Sequence, residues 1–445
     1  MAHQIQLSDH FSYGKLLRFT APSMVMMVFT SIYSMVDGVF VSNFVGKTPF
    51  AAINLIMPFL MFLSIVGFIF GSGGSALIAK TIGENNNEKA NRIFSMLVVV
   101  GALSGIVLGG IGGILVRPIA AMIGASGRLL NDCVVYGRIV LFGLPFLTLQ
   151  NMFQSLFVTA ERPKIGLAVT VISGVLNIIL DVVFILICDW GLVGAAFATV
   201  ISQAVGGLIP LAYFMLPNTS LLQIVKPVFD FKSLVQTVIN GMSEFFSNLS
   251  MAVVSALYNF QLMKYIGEDG VAAYGVIMYI TFIFFTLFIG FSMGAAPIVS
   301  YNYGAKNDAE LKNVFLKSLN IIALISIVLV VASQFLAKPL ALLFAGHDQA
   351  MQDLTVKAFR IYSISFLLAG FNGYASAFFT ALNNGFVSTI LATSRTLVFE
   401  TFAVMVLPLL FGLDGIWMAA LMAEIMALVL TLIFVAKMRS RYRYY

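Results

Sequence analysis

Charged residues are scarce in this chain of 445 residues, in which Asp, Glu, Lys and Arg make up only 10% and apolar residues 60%. A soluble domain carries roughly 25% charged residues. The composition therefore excludes an ordinary soluble protein and indicates an integral membrane protein. Apolar runs exceed the length of about 20 residues that a helix needs to cross a bilayer, so helical spans are favoured over the weak alternation of a β-barrel.

Cysteine and histidine are nearly absent as well. Two cysteines, Cys133 and Cys188, exclude a disulfide framework. The three histidines (His3, His10 and His347) lie outside the apolar runs, which argues against a hydrolase that uses histidine as its base. The connections between apolar runs are too short for a nucleotide-binding domain. We therefore expect no enzyme activity, no cofactor and no nucleic-acid partner, so that any energy must come from an ion gradient.

The chain repeats itself at an offset of 221 residues. The register pairs Gly46 with Gly267, Gly83 with Gly304, Pro118 with Pro339, Thr159 with Thr380, Gly191 with Gly412 and Gly194 with Gly415. Membrane proteins made of two fused copies usually place a substrate site between or within the copies, because relative motion of the copies gives alternating access. The repeat makes transport the first hypothesis.

Each copy contains six predicted spans. Their approximate bounds are 16–44, 51–82, 90–116, 129–157, 164–187 and 192–216, then 232–265, 271–303, 309–337, 351–381, 386–410 and 413–437. The predicted fold class is an all-α integral membrane protein with twelve transmembrane helices in two six-helix lobes. An even number of spans per copy makes the internal repeat parallel. The predicted domains are an N-lobe (1–216), a cytoplasmic linker (217–231) and a C-lobe (232–445) with a basic tail.

Basic residues predict the orientation. With both termini inside, sixteen Lys and Arg fall in inner segments and six in outer ones, which indicates cytoplasmic termini in a multi-pass protein of the cell (inner) membrane. The tail is interpreted as a cytoplasmic interface anchor. It contains Lys437, Arg439, Arg441 and Arg443 with Tyr442, Tyr444 and Tyr445.

Polar side chains of the first copy are predicted to share one layer of the membrane. Asp37, Asp181, Thr199 and Tyr136 each lie on the order of 10 Å below the outer end of a predicted helix. Asn177 and Asp181, like Ala195 and Thr199, are spaced i, i+4 and share a helix face. Such an oxygen-rich cluster suits sodium or a proton. The alternative is a packing network held by hydrogen bonds.

A second charged set lies in the other copy. Glu400 and Glu424 are predicted at similar depth, with Arg395 as a neutralising partner, so they form either a C-lobe proton or substrate site or a buried structural ion pair. Glu244 lies nearer the cytoplasmic side, where it could neutralise a cationic substrate or relay protons. Pro22, 15 residues before Asp37 on the first helix, permits either a functional bend or a static kink.

Over essentially its full length the chain resembles the multidrug and toxic compound extrusion (MATE) family of transporters, bacterial type. The residues that carry the resemblance are Pro22 and Asp37, the run 177–181 (Asn-Ile-Ile-Leu-Asp), and the run 191–196 (Gly-Leu-Val-Gly-Ala-Ala) leading to Thr199. The resemblance implies that Asp37, Asn177, Asp181 and Thr199 bind sodium or are rearranged by protonation. Ala195 would supply a backbone oxygen, and Tyr136 matches a family tyrosine. It also implies bending at Pro22.

The sequence thus predicts a secondary active exporter of organic, cationic drugs or toxic metabolites, coupled to Na⁺ or H⁺ entry. A lipid-linked saccharide flippase with the same two-lobe plan is the alternative. The expected partners are a small organic substrate and the lipid bilayer, and the expected functional unit is a monomer.

Overall fold

The computed structural model describes residues 5–345 and 349–444, and within this part the chain is helical without a strand. His3, His347 and Tyr445 lie outside it. The helices are α1 Tyr13–Phe44, α2 Lys47–Gly83, α3 Asn87–Met122, α4 Gly127–Phe142, α5 Leu144–Thr159, α6 Pro163–Asp181, α7 Gly191–Met215, α8 Phe231–Ile266, α9 Glu268–Gly304, α10 Asp308–Ala345, α11 Gln349–Tyr362, α12 Phe366–Ala381, α13 Gly385–Thr393 and α14 Thr401–Tyr442. Two π-helical segments, Val182–Ile187 and Ser394–Glu400, and a short 3₁₀ turn, Ser363–Ser365, continue their neighbouring helices.

Twelve spans follow from these helices, which confirms the predicted fold class. In the described part, nine helices are long and apolar enough to cross a membrane, and the bent pair of α4 and α5 makes a tenth. The last of the nine, residues 385–442, contains two spans because Gly412 (φ 58°, ψ −137°) breaks the helix. α8 is the twelfth: its 36 residues are long enough, although its sequence is more polar.

Prolines account for two shifted helix bounds and for one bend inside a predicted span. The third and ninth spans were predicted to end just before Pro118 and Pro339, but both prolines lie inside α3 and α10, which continue to Met122 and Ala345. Neighbouring helices compensate the hydrogen bond that a proline removes in a membrane. The fourth span bends by 54° between α4 and α5, where Gly143 precedes Leu144 and Pro145. Proline position alone therefore does not decide between an end and a bend.

Glycines of the repeat occupy equivalent special positions in both copies. Gly46 (φ 106°) and Gly267 (φ 72°) precede α2 and α9, and Gly191 (φ 51°) and Gly412 (φ 58°) precede the last span of each copy. Side chains with a Cβ rarely adopt a positive φ. The repeat in the sequence is therefore a repeat of backbone turns.

The two copies touch closely on one side of the bundle. We call the side on which residues 5–12 and 443–444 lie the terminal side, and the opposite side the distal side. Here Gly83 ends α2 and Gly304 ends α9; a Cβ on Gly83 would lie 2.1 Å from the carbonyl oxygen of Tyr301, and one on Gly304 2.1 Å from that of Lys80. The two helices cross with their backbones in contact, so the structure is closed between the lobes on the terminal side.

A second crossing lies deeper in the same half. A Cβ on Gly73 of α2 would lie 2.1 Å from the carbonyl oxygen of Thr237 on α8, and one on Gly241 of α8 2.3 Å from that of Ile69. Small residues let membrane helices approach in this way. Residues before α1 also join the lobes: the Leu7 amide donates to Glu161 Oε1 (2.5 Å), and the Phe11 amide to Glu310 Oε1 (2.9 Å).

The C-terminal tail differs from its interpretation as an interface anchor. Tyr442 and Tyr444 are buried in the protein, and the Tyr444 ring packs on Phe315 and Phe378 with centroids 5.2 and 5.1 Å away. Buried aromatic rings contribute large apolar area, which offsets the cost of ordering a chain end. The tail is therefore part of the closed terminal side, and Arg441 and Arg443, on either side of Tyr442, remain exposed.

Candidate functional site

The predicted N-lobe residues come from four helices. Asp37 lies on α1, Tyr136 on α4, Asn177 and Asp181 on α6, and Ala195 with Thr199 on α7. α1 reaches α6 because Gly174 leaves room for aromatic rings: a Cβ there would lie 2.6 Å from the Phe29 ring and 3.1 Å from that of Tyr33.

The carboxyl groups of Asp37 and Asp181 are neighbours close enough to interact electrostatically. Asp181 is 1% exposed. Among the described residues, Asp37 Oδ1 and both oxygens of Asp181 are buried without a hydrogen-bond partner, as is Asn177 Nδ2. Buried carboxyl groups without donors are unfavourable unless a proton or a cation neutralises them. Carboxyl groups in this arrangement are expected at a site that binds and releases a small cation.

Two hydroxyl groups complete the N-lobe cluster. Tyr136 is 4% exposed and lies within interaction range of Asp37, Asp181 and Thr199. The Thr199 hydroxyl donates to the carbonyl oxygen of Ala195 at 3.0 Å. Since Ala195 lies within α7, the same carbonyl also accepts the backbone N–H of Thr199, so both of its lone pairs are used in this structure. The structure thus brings all six predicted residues into one region, with Asn177 one helical turn before Asp181.

The helix changes geometry at this cluster, which the sequence did not indicate. Asp181 ends α6, and Val182–Ile187 continues as a π-helical turn. α7 packs tightly on that turn, since a Cβ on Gly194 would lie 3.0 Å from Phe184. π-helical turns occur frequently at functional sites. The C-lobe has a similar turn, Ser394–Glu400, which ends at one of its predicted acidic residues.

Arg395 of the C-lobe pairs with Glu424. Its Nη2 and Nε lie 2.6 and 2.8 Å from Glu424 Oε1. The other oxygen of Glu424 accepts from Asn372 Nδ2 at 2.7 Å, and Asn372 Oδ1 accepts from Thr431 at 3.1 Å. The side chain of Glu424 is 8% exposed and that of Arg395 20%, so a largely buried ion pair, with both carboxyl oxygens of Glu424 hydrogen-bonded, lies in this lobe. The geometry agrees with the structural ion pair that was one of the two expectations.

Glu400 lies in the same cluster but has a different partner. Its Oε1 accepts from the hydroxyl of Tyr258 at 3.3 Å, and the Tyr258 ring stacks on Tyr274 with centroids 4.7 Å apart. Arg395 was predicted to neutralise the acidic pair, but its short contacts go to Glu424 alone. One guanidinium therefore faces two carboxyl groups in the C-lobe.

Glu244 and Pro22 lie where the lobes meet. Glu244 is on α8 beside Ser72 of α2. Pro22 is buried inside α1, which is one continuous helix. Next to it, a Cβ on Gly290 of α9 would lie 2.5 Å from Met24. α1 thus carries Asp37 in its distal half and contacts the other lobe in its terminal half.

Asn372 was missed, although the sequence contained a signal for it. Its register partner in the first copy is also asparagine, Asn151, and both are buried. An amide retained at the same place in both copies, within an apolar helix, indicates a polar contact. Tyr258 and Thr431 carried no comparable signal.

Comparisons with known proteins place this geometry in context. The MatE family model matches residues 22–183 and 245–405. The chain is 26% identical over 430 residues to the multidrug export protein MepA of Staphylococcus haemolyticus, covering 96% of this chain and 94% of that protein. It is 25% identical over 436 residues to MepA of Staphylococcus aureus strain MRSA252, with the same coverage of both proteins.

Solved structures share the fold. A crystal structure described as MATE in the straight conformation superimposes with a TM-score of 0.93 at 23% identity, covering all of both chains. A Pyrococcus furiosus transporter of the MOP superfamily, described as having a binding pocket of reverse polarity, gives a TM-score of 0.92 at 23% identity, with 100% of this chain and 99% of that chain covered.

Proposed function

Since the chain belongs to the MATE family of membrane transporters, which are not enzymes, we propose that it exports organic cations across the cell membrane in exchange for Na⁺ or H⁺. The observation that carries the proposal is the pair of neighbouring carboxyl groups of the half-buried Asp37 and the buried Asp181. Asp37 Oδ1 and both oxygens of Asp181 are buried without a hydrogen-bond donor among the described residues. The names of the MepA relatives support a multidrug substrate range.

Sodium and a proton both fit this donor set. Sodium prefers oxygen ligands, and the two carboxylates with the hydroxyl groups of Tyr136 and Thr199 supply them. The Ala195 carbonyl oxygen would join them once the Thr199 hydroxyl turns from it toward the ion. A proton would instead sit between the two carboxyl groups, which cannot both remain charged in a buried site. Either ion removes the same buried negative charge.

α1 connects the buried carboxyl groups with the contact between the two lobes. Asp37 lies on the distal half of α1, while Thr20 and Met24 on its terminal half pack on Gly294 and Gly290 of α9. Pro22 lies among those contacts, so α1 lacks one backbone hydrogen bond at the place where it touches the other lobe. A change in the position of α1 when the carboxyl groups are neutralised would alter the packing between the lobes. Ion and substrate need only favour different arrangements of the lobes to be coupled.

The orientation follows from the same proposal. The closed terminal side, with both chain ends, faces the cytoplasm, and the N-lobe cluster lies toward the outside. A cation that enters from outside would then bind in the distal half of the N-lobe. We assign to Glu244, which lies where α8 and α2 meet, the neutralisation of the substrate's positive charge. The charged C-lobe cluster of Glu400, Glu424 and Arg395 provides a second region that can take up protons.

The test is transport of a fluorescent organic cation in proteoliposomes under a sodium gradient or a pH gradient imposed separately. Asp37→Asn and Asp181→Asn are expected to abolish the response to the gradient while the purified proteins stay folded. Asp189→Asn is the matched control, because Asp189 is exposed and lies shortly after the helix that contains Asp181. Gradient-driven transport that persists in both site variants contradicts the proposal. Translocation of a lipid-linked saccharide without cation transport would favour the flippase alternative.

A further inference from the structure

The linker between the lobes is fastened along the first turns of α3. The amide of Gln223 donates to Asn91 Oδ1 at 2.9 Å, and the amide of Val225 donates to Ser95 Oγ at 2.8 Å. Both acceptors lie on the terminal-side end of α3. The linker therefore has a fixed position and a fixed depth relative to the helices.

That depth is the boundary of the membrane. α3 changes at Ile93 from the polar run 87–92 to an apolar sequence, next to the residues that hold the linker. On α8, Phe231, Val235 and Ile239 are 68%, 38% and 42% exposed and are spaced four residues apart, so they form a stripe that faces lipid. Phe231 begins this stripe. The end of the linker thus lies where the lipid-facing surface of α8 begins.

Apolar side chains are exposed at this boundary. Val228 is 50% and Phe229 66% exposed, and only Asp230 separates them from Phe231. Neighbouring exposed apolar residues usually mark an interaction surface. Aromatic residues at a membrane boundary commonly lie at the level of the headgroups.

Positive charge surrounds the same residues. A groove of about 470 Å³ between the linker and α3 is lined by Lys89 and Arg92, and the exposed Lys226 and Lys232 flank the apolar side chains. In the described part of the chain, none of the three lysines forms an ion pair.

The two acidic residues of the groove already have partners. Glu88 accepts from Arg92 Nη2 at 2.5 Å. Asp230 caps α8 by accepting from the amides of Lys232 and Ser233, and hydrogen bonds from Ser233 hold its pKa below the usual value. Lys89 also lies within electrostatic range of Asp230, but none of the three lysines forms an ion pair in the described part of the chain, so Lys89, Lys226 and Lys232 can still contact an anion from outside the protein.

We propose that this surface, the linker patch, binds anionic phospholipid of the leaflet on the terminal side. The linker patch consists of the apolar Val228, Phe229 and Phe231 and the basic Lys89, Lys226 and Lys232. Its apolar residues insert between lipids while its lysines contact the phosphate groups. The combination matches an amphipathic, negatively charged molecule, whereas a purely zwitterionic surface would leave the lysine charges without counter-ions. Bound lipid would tie the connection between the two lobes to the membrane surface.

Insertion can be measured with a spin label in the full-length chain. Phe229→Cys and, as control, Glu84→Cys are labelled in a background with Cys133→Ala and Cys188→Ser. Glu84 is an exposed polar residue at the end of α2 on the same side. In vesicles of phosphatidylcholine with phosphatidylglycerol, the label at 229 should be relaxed by oxygen and protected from a water-soluble nickel chelate. Equal exposure of both labels to the chelate would overturn the proposal.

Headgroup selectivity is measured by titrating delipidated protein with phosphatidylglycerol or phosphatidylcholine. Each lysine beside an anionic surface contributes roughly a fivefold factor in binding, so Lys226→Gln should weaken phosphatidylglycerol binding by about that factor. The combined Lys89→Gln, Lys226→Gln and Lys232→Gln chain should lose the preference for this lipid.

The control removes equal charge on the distal side, with Lys47→Gln, Arg128→Gln and Lys264→Gln, all of which are exposed. This variant should keep the preference at the linker patch. An unchanged preference in the linker-patch variant would contradict the proposal, and so would competition by inorganic phosphate as strong as that by the lipid.

Discussion

Arg395 and Glu424 form an ion pair enclosed in the C-lobe, with two guanidinium nitrogens 2.6 and 2.8 Å from one carboxyl oxygen. Removing one partner of a buried pair leaves an uncompensated charge, which costs about 3 to 5 kcal/mol. Arg395→Met alone should therefore lower the unfolding temperature more than Arg395→Met combined with Glu424→Gln. Thermal unfolding of the four proteins of this double-mutant cycle in detergent measures the coupling.

The control for that cycle is the exposed ion pair of Lys357 and Asp414, whose nitrogen and oxygen lie 2.6 Å apart. Solvent screens such a pair, so Lys357→Met should change stability by only about 0 to 1 kcal/mol. Equal effects of Arg395→Met and Lys357→Met would show that burial does not govern the C-lobe pair.

Gly304→Ala is predicted to open the closed terminal side. A methyl group there would overlap the Lys80 carbonyl oxygen, and overpacking costs typically about 1 to 3 kcal/mol. The ratio of closed to open molecules should fall by a corresponding factor of roughly 5 to 150. Distances between spin labels on the terminal ends of the two lobes report that population.

Gly275→Ala is the matched control on the same helix, because a Cβ at Gly275 meets no atom within 4 Å. Its distance distribution should equal that of the parent. Identical distributions for both variants would mean that the crossing of α2 and α9 relaxes without cost.

Tyr136→Phe tests the hydroxyl that lies beside Asp37 and Asp181. The ring keeps its packing, but the cluster loses a hydroxyl oxygen and its hydrogen bond with Thr199, and such a bond contributes typically about 0.5 to 1.5 kcal/mol. The concentration of coupling ion needed for half-maximal transport should rise by a factor of roughly 2 to 12. Tyr213→Phe on α7 removes a hydroxyl from an aromatic cluster in the same lobe and should leave that concentration unchanged.

Asp230→Ala should loosen the start of α8. Losing such a cap costs typically about 1 kcal/mol. Hydrogen bonds from Ser233 and Lys232 lower the pKa of the Asp230 carboxyl group, so its contribution is complete above its unfolded pKa of about 3.9 and declines as pH falls through the lower folded value. Hydrogen exchange of the first turn of α8 at neutral pH measures the loss. Ser126→Ala is the control, since Ser126 precedes α4 without accepting a capping hydrogen bond.

The apolar runs, the glycines and the repeat sufficed to predict twelve spans and two lobes, because the bilayer fixes helix length and each copy reuses the same turns. The spacing of Asn177 and Asp181 predicted that they share one helix face. Their similar depth along the helices predicted that Asp37 lies near them. The π-helical turn after Asp181 could not be predicted, since Val182–Ile187 contains neither glycine nor proline. Arg395 pairs with Glu424 and not with Glu400. This pairing depends on side-chain directions across three helices, which spacing along one helix does not reveal.

Gly412 is the one non-helical residue between the last two spans, and a Cβ on Gly415 would lie 2.3 Å from the carbonyl oxygen of Leu407, so these spans meet on the distal side without a longer connecting segment. An epitope tag or protease site inserted there would have to disrupt a helix end before it became accessible. Topology mapping of the distal side should therefore use the connection between α3 and α4, residues 123–126, instead.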